Sequence, residues 1–274
     1  MPNQTINKKN NPISTQYDDS KNFMARVELH RKFSTNPHGW TRWIFDQIHF
    51  KENSRVLELG CGNALLWKSN LDRIPEDSHI ILSDLSSGML KDARKVLGNS
   101  YDRFEYEVLD AQQIPYPDNS IDIIIANLML YHVPDRKKAI SEISRVLMID
   151  GSFYATTFGL ENMKELTDLI FSYNNKNYSL KYLANEFGLE NGKDQLFKYF
   201  EDVKIVEYPD YLEVKEAEPL VNFVLSSSKV IKKEEIADFR TYINDILRNE
   251  GRIKITKDSC IFIARNLINP NLRF

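Results

Sequence analysis

Four short apolar runs each end in a side chain that can hold a ligand by hydrogen bonds. Glu58 sits in "RVLEL" (55–59), directly before Gly60-Cys61-Gly62. Asp84 ends "HIILSD" (79–84), and Asp110, followed by Ala111, ends "FEYEVLD" (104–110). Asn127, followed by Leu128, stands at the end of "IDIIIA" (121–126). The two glycines lack Cβ, so the loop can turn tightly and let a ligand touch backbone. Asp84 follows Gly62 by 22 residues, which suits an acid that accepts hydrogen bonds from both hydroxyls of a ribose. Asp110 would then face a donor such as the exocyclic amine of adenine. His132, in "LYHVPD", is the one candidate proton acceptor nearby. An untuned imidazole titrates near neutrality and can take a proton. The competing reading is a turn residue packed against Pro134, and Tyr131 carries the same ambiguity.

The glycine spacing raises the question of phosphate. A dinucleotide fingerprint needs G-x-G-x-x-G, and the third position here is Leu65. A pyrophosphate also needs open backbone N–H groups at a helix start, which Leu65-Leu66-Trp67 would crowd. Glu58 would repel phosphate but welcomes an ammonium or, at longer range, a sulfonium. A cationic ligand with ribose and adenine and no phosphate fits better, and S-adenosylmethionine (SAM) is such a ligand. Each residue also has a plainer explanation. Asp84 could cap the next helix beside Ser86, Asp110 could start a turn, and Met89 fits a core stripe. Cys61 reads as a small buried residue.

These tips need a scaffold. Between the strand runs lie amphipathic helical patterns. In "SSGMLKDARKVLG", Met89, Leu90, Ala93, Val96 and Leu97 share a face, with Ser86 or Ser87 as cap and Gly98 as stop. In "PDRKKAISEISRVL", Ala139, Ile140, Ile143, Val146 and Leu147 share a face, with Asp135 as N-cap. "HGWTRWIFDQIH" (38–49) puts Trp40, Trp43, Ile44 and Ile48 on one stripe, and "DGSFYATTF" (150–158) is a turn and a fifth strand. Strands alternating with helices predict a parallel, doubly wound sheet covered on both faces. Residues 160–200 hold helical patterns, including "SLKYLANEFG" capped by Ser179. "VKIVEYPDYLEV" resumes strand character, and "KEEIADFRTYINDILRNEG" is a further helix. "GRIKITKDSCIFIARN" reads as two strands around a Lys-Asp-Ser turn, a closing hairpin. The aromatics Phe171, Tyr173, Tyr178, Tyr182, Phe187, Phe197 and Tyr199 could line an acceptor pocket or form the core of a small lid.

Composition narrows the class. The chain has 274 residues, 42% hydrophobic and 27% charged, with net charge −3, an ordinary globular balance. No basic excess asks for nucleic acid or an anionic membrane. Two cysteines, Cys61 and Cys260, in unrelated segments without CxxC or clustered histidines, predict no metal site and no disulfide. No run reaches the roughly 20 apolar residues a membrane span needs, and the polar N-terminus is not a signal peptide. The expectation is a soluble, cytoplasmic protein with residues 1–16 mobile.

Four motifs in order carry a resemblance. "VLELGCGNALL" resembles the E/D-x-G-x-G-x-G motif of class I SAM-dependent methyltransferases of the type 11 kind, with Ala64 in place of the third glycine. "LSDLSSGML", "LDAQQIPYPDNSIDIIIANLMLYHVPD" and "EISRVLMIDGSFYATTF" are similar to that family's later motifs, over residues 54 to 158. The resemblance implies an α/β, doubly wound, Rossmann-like fold. Its seven-stranded, mostly parallel sheet ends in an antiparallel hairpin, and a helical cap over 17–50 and 160–200 lies within a domain of 17–274. It implies SAM as cofactor. Gly60, Cys61 and Gly62 would line its methionine part, and Glu58 would hold the loop or the amino group. Asp84 would bind ribose, Leu85 and Met89 would sandwich adenine, and Asp110 and Ala111 would meet the adenine edge. Asn127 and Leu128 would lie beside the methionyl end, and Tyr17 would cover the cofactor. The implied reaction is in-line displacement of a methyl group onto a small organic acceptor, with His132 as the candidate base if one is needed. Other readings stay open: a protein or RNA methylase, a SAM-binding regulator, or an NAD(P)-dependent reductase. Leu65 argues against the reductase, and the lack of a DPPY/NPPY signature argues against amine methylation of nucleic acid or protein glutamine. Oligomeric state is not legible.

Overall fold

The computed structural model describes residues 21–176, 178–227 and 230–268. The tail expected over 1–16 and Tyr17 lie outside the described residues. The described chain opens with α1 (Lys21–Phe33) and α2 (Trp40–Gln47). Then β1 (Arg55–Leu59), α3 (Leu65–Lys68), β2 (His79–Asp84), α4 (Ser87–Leu97) and β3 (Phe104–Val108) alternate. β4 (Ile121–Asn127), α5 (Arg136–Val146) and β5 (Leu147–Phe158) complete the alternating part. Next come α6 (Lys164–Asn174), α7 (Lys181–Glu186), α8 (Gly192–Leu196), β6 (Phe200–Tyr208) and β7 (Tyr211–Val214). The described chain ends with α9 (Ala217–Ser227), α10 (Ile236–Glu250), β8 (Ile253–Thr256) and β9 (Ser259–Leu267).

Seven strands form one sheet in the order β3-β2-β1-β4-β5-β9-β6. The first five are parallel; β9 runs antiparallel between β5 and β6. Side chains on the central strands alternate between two cores, as the strand period of two requires. Leu57, Leu59, Ile124 and Ala126 face one side, where α5 lays down Ala139, Ile140, Ile143 and Val146. Val56, Ile123 and Ile125 face the other, with Ile44 and Phe45 of α2 and Leu90, Ala93 and Leu97 of α4. Each buried valine, leucine, isoleucine or phenylalanine of these cores contributes about 1.5–3 kcal/mol, so truncating Ile124 to Ala would cost about 2–5 kcal/mol. The helix ends follow the expected chemistry. Ser86 accepts the Met89 N–H at 3.3 Å, Asp135 accepts the Lys138 N–H at 3.0 Å, and Gly98 takes φ 59°. The Ser179 hydroxyl accepts the Lys181 N–H at 3.0 Å, but Leu180 occupies the cap position of α7.

The closing hairpin is corrected. β8 pairs with β7 in a separate two-stranded sheet, while β9 enters the main sheet. Lys257 and Asp258 are therefore a crossing between two sheets, not a hairpin turn. Burial explains the split: residues 259–264 are all buried and need a neighbour on each side, whereas β8 alternates buried and open positions. The antiparallel last pair of the main sheet is β6 with β9.

A third core joins distant segments: Leu29 and Phe33 of α1, Leu166 and Ile170 of α6, Leu212 and Val214 of β7, Leu220 and Val224 of α9, Phe239 and Ile243 of α10. α9 was not foreseen. Leu220, Val221, Phe223 and Val224 are all buried, which blurs the helical stripe. No helix among the described residues is long and apolar enough to cross a membrane.

Candidate functional site

The loop after β1 uses left-handed backbone three times: Gly60 at φ 65°, Gly62 at φ 57° and Ala64 at φ 61°. Alanine tolerates this at about 1 kcal/mol, so the missing third glycine keeps the loop's path. A side chain on Gly60 would meet Met129 Cβ at 3.0 Å, while one on Gly62 would point into open space. That space is the cradle a ligand can enter. The Cys61 N–H donates to the Ser83 carbonyl at 2.8 Å, which docks the loop against β2. Leu128, at φ 53°, is a strained non-glycine at the tip of β4, the kind of backbone strain found at functional sites.

Asp84 closes the other wall. Its carboxylate accepts the Gly62 N–H at 3.0 Å and the Ser86 N–H at 2.8 Å. Burial raises its pKa, against those two hydrogen bonds. Leu85 beside it is an exposed apolar surface, 41% open. Asp110 lies at the next strand end, where the Leu109 N–H donates to the Asp84 carbonyl at 3.2 Å. Its carboxylate accepts the Gln112 N–H at 2.9 Å, and Ala111 is buried. The turn role and the site position therefore coexist at Asp110. Asn127 Oδ1 accepts the Thr156 hydroxyl at 2.6 Å, and the same hydroxyl oxygen accepts the Leu128 N–H at 3.0 Å. Met89 is 2% exposed and packs as a core residue.

Glu58 points inward. It is 1% exposed, and the Trp67 indole N–H donates to it at 2.6 Å. Burial pushes its pKa up to about 8, so at neutral pH it holds a proton and ties α3 to β1. The Cys61 thiol is also raised by burial, which makes it inert rather than nucleophilic. His132 follows β4 in a 3₁₀ turn, its ring 4.6 Å from Tyr131, which meets Phe158 at 5.2 Å. Burial, then the Arg26 charge, lowers its pKa to about 4. It is neutral at pH 7 but a weak base.

Sequence reasoning missed Thr156, Asn63, Met24 and Arg26. Thr156 ends the fifth strand and was open to the same reading of strand tips. Asn63 is 1% exposed; its Nδ2 lies 3.3 Å from Met24 Sδ, and its Oδ1 has no partner among the described residues. Met24 and Arg26 arrive on α1, and nothing local to that helix signals where it lands. The seven aromatics do not line one pocket. Phe187 and Tyr199 belong to the sheet core, Tyr173 and Tyr178 to the third core, and Phe171, Tyr182 and Phe197 are exposed. Two surface clefts, one lined by Phe33, Ser34 and Glu216, the other by Asn22, Asn222 and Ser226, lie along the helical part.

The sequence profile of the family described as "Methyltransferase domain" matches residues 57–155. The ubiquinone/menaquinone biosynthesis C-methyltransferase UbiE of Pectobacterium atrosepticum is 29% identical over 163 residues, 59% of this chain and 62% of that protein. The chain thus spans less than two thirds of the length of the curated relatives of this kind that it matches first. Among solved structures, the [4+2]-cyclase SpnF superposes with TM-score 0.57 at 16% identity, over 94% of this chain and 96% of that one. Phosphoethanolamine N-methyltransferase 2 of Haemonchus contortus, in complex with S-adenosyl-L-methionine, superposes with TM-score 0.53 at 17% identity. That match covers 97% of this chain and 61% of the other. A cyclase and a methyltransferase on one fold show that the scaffold does not choose the reaction. The family profile is seated on the first five strands, so residues 57–155 of this chain match a methyltransferase domain, and the antiparallel β9 lies between β5 and β6.

Proposed function

We propose that this chain is an enzyme that binds SAM at the tips of β1, β2, β3 and β4 and moves its methyl group to a small organic acceptor. The observation that carries this is the link between Asp84 and Gly62, a carboxylate bonded across the glycine cradle at 3.0 Å. It sets a ribose-binding acid beside open backbone, with no third glycine to admit a pyrophosphate. In this proposal Gly60, Cys61 and Gly62 flank the methionine part, and Asn63 Oδ1, buried and without a partner, receives a donor from it. Asp84 takes the ribose hydroxyls, exposed Leu85 covers adenine, and Asp110 with Ala111 meets the adenine edge. Asn127 and Leu128, pinned by Thr156, shape the wall where the acceptor approaches.

SAM when bound supplies the methyl group and its own leaving group. What remains for the protein is alignment and exclusion of water. Met129 over Gly60 and Met24 against Asn63 give the loop an apolar roof. His132, lowered to about 4, accepts a proton poorly, so the proposal assigns it packing beside the acceptor and no obligatory proton transfer. In this proposal the cap is the module of α1, α6, β7, α9, α10 and β8, which share one core; Ile44, Phe45 and Ile48 from the expected 17–50 segment and Phe187, Leu196 and Phe200 from the expected 160–200 segment pack in the sheet cores instead.

The test is direct. Purified protein is incubated with methyl-labelled SAM and a fractionated metabolite extract, and S-adenosylhomocysteine and labelled products are measured together. Equal amounts of both support the proposal. SAM binding without any product in any fraction favours a non-catalytic SAM-binding protein, and label on protein or RNA overturns the small acceptor.

A further inference from the structure

The antiparallel β9 brings a basic residue to the ligand edge of the sheet. Ser259 pairs with both Phe158, the last residue of β5, and Tyr208, the last of β6. Lys257 therefore stands at the same edge as the cofactor loop, on the far side of β4 from Asp84. Neighbouring strands are about 4.8 Å apart and rise about 3.3 Å per residue; Asn127 is level with Thr156 and Ile261, so Lys257, two strands over and four residues further along, lies up to about 16 Å from the β4 tip. α1 crosses this edge, and its residues meet successive parts of it in order. Met24 touches Asn63, and the charge of Arg26 reaches His132. His30, one turn after Arg26, lies with Nδ1 3.4 Å from Lys257 Nζ. Phe223 of α9 holds the His30 ring edge-on at 5.7 Å.

Lys257 is held here without a counter-ion. Among the described residues it forms no salt bridge, and its ammonium sits 5.9 Å from the Trp40 ring. The Trp40 indole N–H is buried without an acceptor among the described residues. Asp210, whose field reaches Lys257, already accepts from the Ser34 hydroxyl at 2.9 Å and from the N–H groups of Thr35 and Asn36. The Asp258 carboxylate accepts the Glu161 N–H at 3.3 Å and lies near Gly159, among Glu161 and Glu190. Burial draws Lys257 down to about 8, so it keeps its charge at neutral pH, while burial and then Lys257 keep His30 neutral. A part-buried ammonium whose contacts among the described residues are the neutral His30 ring and the Trp40 face, with no counter-ion, is costly, and an incoming anion relieves that cost.

We propose that the methyl acceptor carries an oxyanion, carboxylate or phosphate, that seats on Lys257 between α1 and the β8–β9 crossing, up to about 16 Å from the β4 tip. The inference rests on the methyltransferase reading above and names the class of its acceptor. An acceptor of that length would lie along the edge from β9 to β4, its reacting atom at the Asn127 tip.

The test uses the full chain saturated with S-adenosylhomocysteine, titrated with inorganic phosphate and, separately, with carbon-13 acetate, each followed by NMR line broadening. Wild type should bind at least one anion saturably; Lys257→Gln should weaken it about tenfold or more, and Lys257→Arg should keep it within about threefold. Tighter acetate points to a carboxylate acceptor and tighter phosphate to a phosphate one. Should Lys257→Gln fail to fold, wild type alone decides: acetate, whose charge is constant above pH 6, should lose affinity about tenfold as pH rises through that of Lys257. No saturable anion binding in wild type, equal binding by Lys257→Gln, or a flat pH profile for acetate would overturn the proposal. The anion titrations are repeated without S-adenosylhomocysteine. Anion binding there in a protein that never binds S-adenosylhomocysteine would sink the methyltransferase reading while leaving the seat in place.

Discussion

The tips of β1–β4 and the helical module over them are built by opposite logics. At the tips, every candidate residue lies within a few positions of a strand end, and short-range bonds fix it: Asp84 to Ser86, Asp110 to Gln112, Cys61 to Ser83 next door. The module gathers α1, α6, β7, α9, α10 and β8 from across the chain into one core. In the proposals above, its contribution to the site is Met24, Arg26 and His30 of α1 together with Lys257, which follows them by more than 200 positions. A cofactor shared by a family can be held by contiguous motifs. An acceptor specific to one protein is met by whatever the long-range packing delivers.

The largest expected effect is at Gly60. Gly60→Val puts a branched side chain at φ 65° against Met129, so it should cost about 3 kcal/mol of stability and more than about a hundredfold in SAM affinity, by thermal melts and calorimetry. A comparable change on the module, Leu220→Ala, should cost a similar stability while leaving SAM affinity within about threefold. Equal loss of SAM affinity in both would erase the contrast.

Glu58 comes next. Its folded pKa of about 8 exceeds the unfolded 4.5, so the native state holds a proton that the unfolded chain releases. Stability from this group is full below the unfolded value and falls as pH rises toward 8, by at most about 5 kcal/mol at about 1.4 kcal/mol per unit. Urea unfolding from pH 5 to 9 should show that slope, and Glu58→Gln should flatten it. A wild type that gains stability over this range would contradict the buried, protonated acid.

Asp84→Asn should weaken S-adenosylhomocysteine by about thirtyfold, through loss of charge-assisted bonds to ribose, with the fold retained by circular dichroism. His132→Asn should lower kcat by less than about tenfold, and the wild-type pH–rate profile should lack an inflection near 6.5. An inflection there that vanishes in the variant would make His132 a working base. The smallest effect sharpens the comparison most: Lys257→Gln should leave S-adenosylhomocysteine affinity within about twofold, because it sits on the module side of β4.

Much of the sheet was legible because its strands are short apolar runs separated by amphipathic helices with visible caps. Ser86, Gly98 and Asp135 stand where the sequence puts them. The hairpin after Gly251 was not, because a turn-like Lys-Asp-Ser looks the same whether the strands pair with each other or leave for different sheets. Only the continuous burial of 259–264 against the alternation of 253–256 separates the two. The turn of the glycine loop and the place of Asp84 at the tip of β2 were legible from spacing, and the ligand they would hold is the proposal above. The inward turn of Glu58 toward Trp67 was not, since one carboxylate on a strand reads alike whether it faces a ligand or an indole. Thr156 was within reach, at the fifth strand's tip, yet its role depends on Asn127 lying one strand over.

The central claim is that the acid-tipped glycine cradle takes a SAM-type nucleoside and not a dinucleotide. Calorimetric titration of the full chain with S-adenosylhomocysteine and, in parallel, with NADH and NADPH tests it most directly. S-adenosylhomocysteine should give a one-site isotherm at about micromolar affinity, and neither dinucleotide should give heat. Silence with S-adenosylhomocysteine, or saturable binding of NADH or NADPH at the same site, would contradict it.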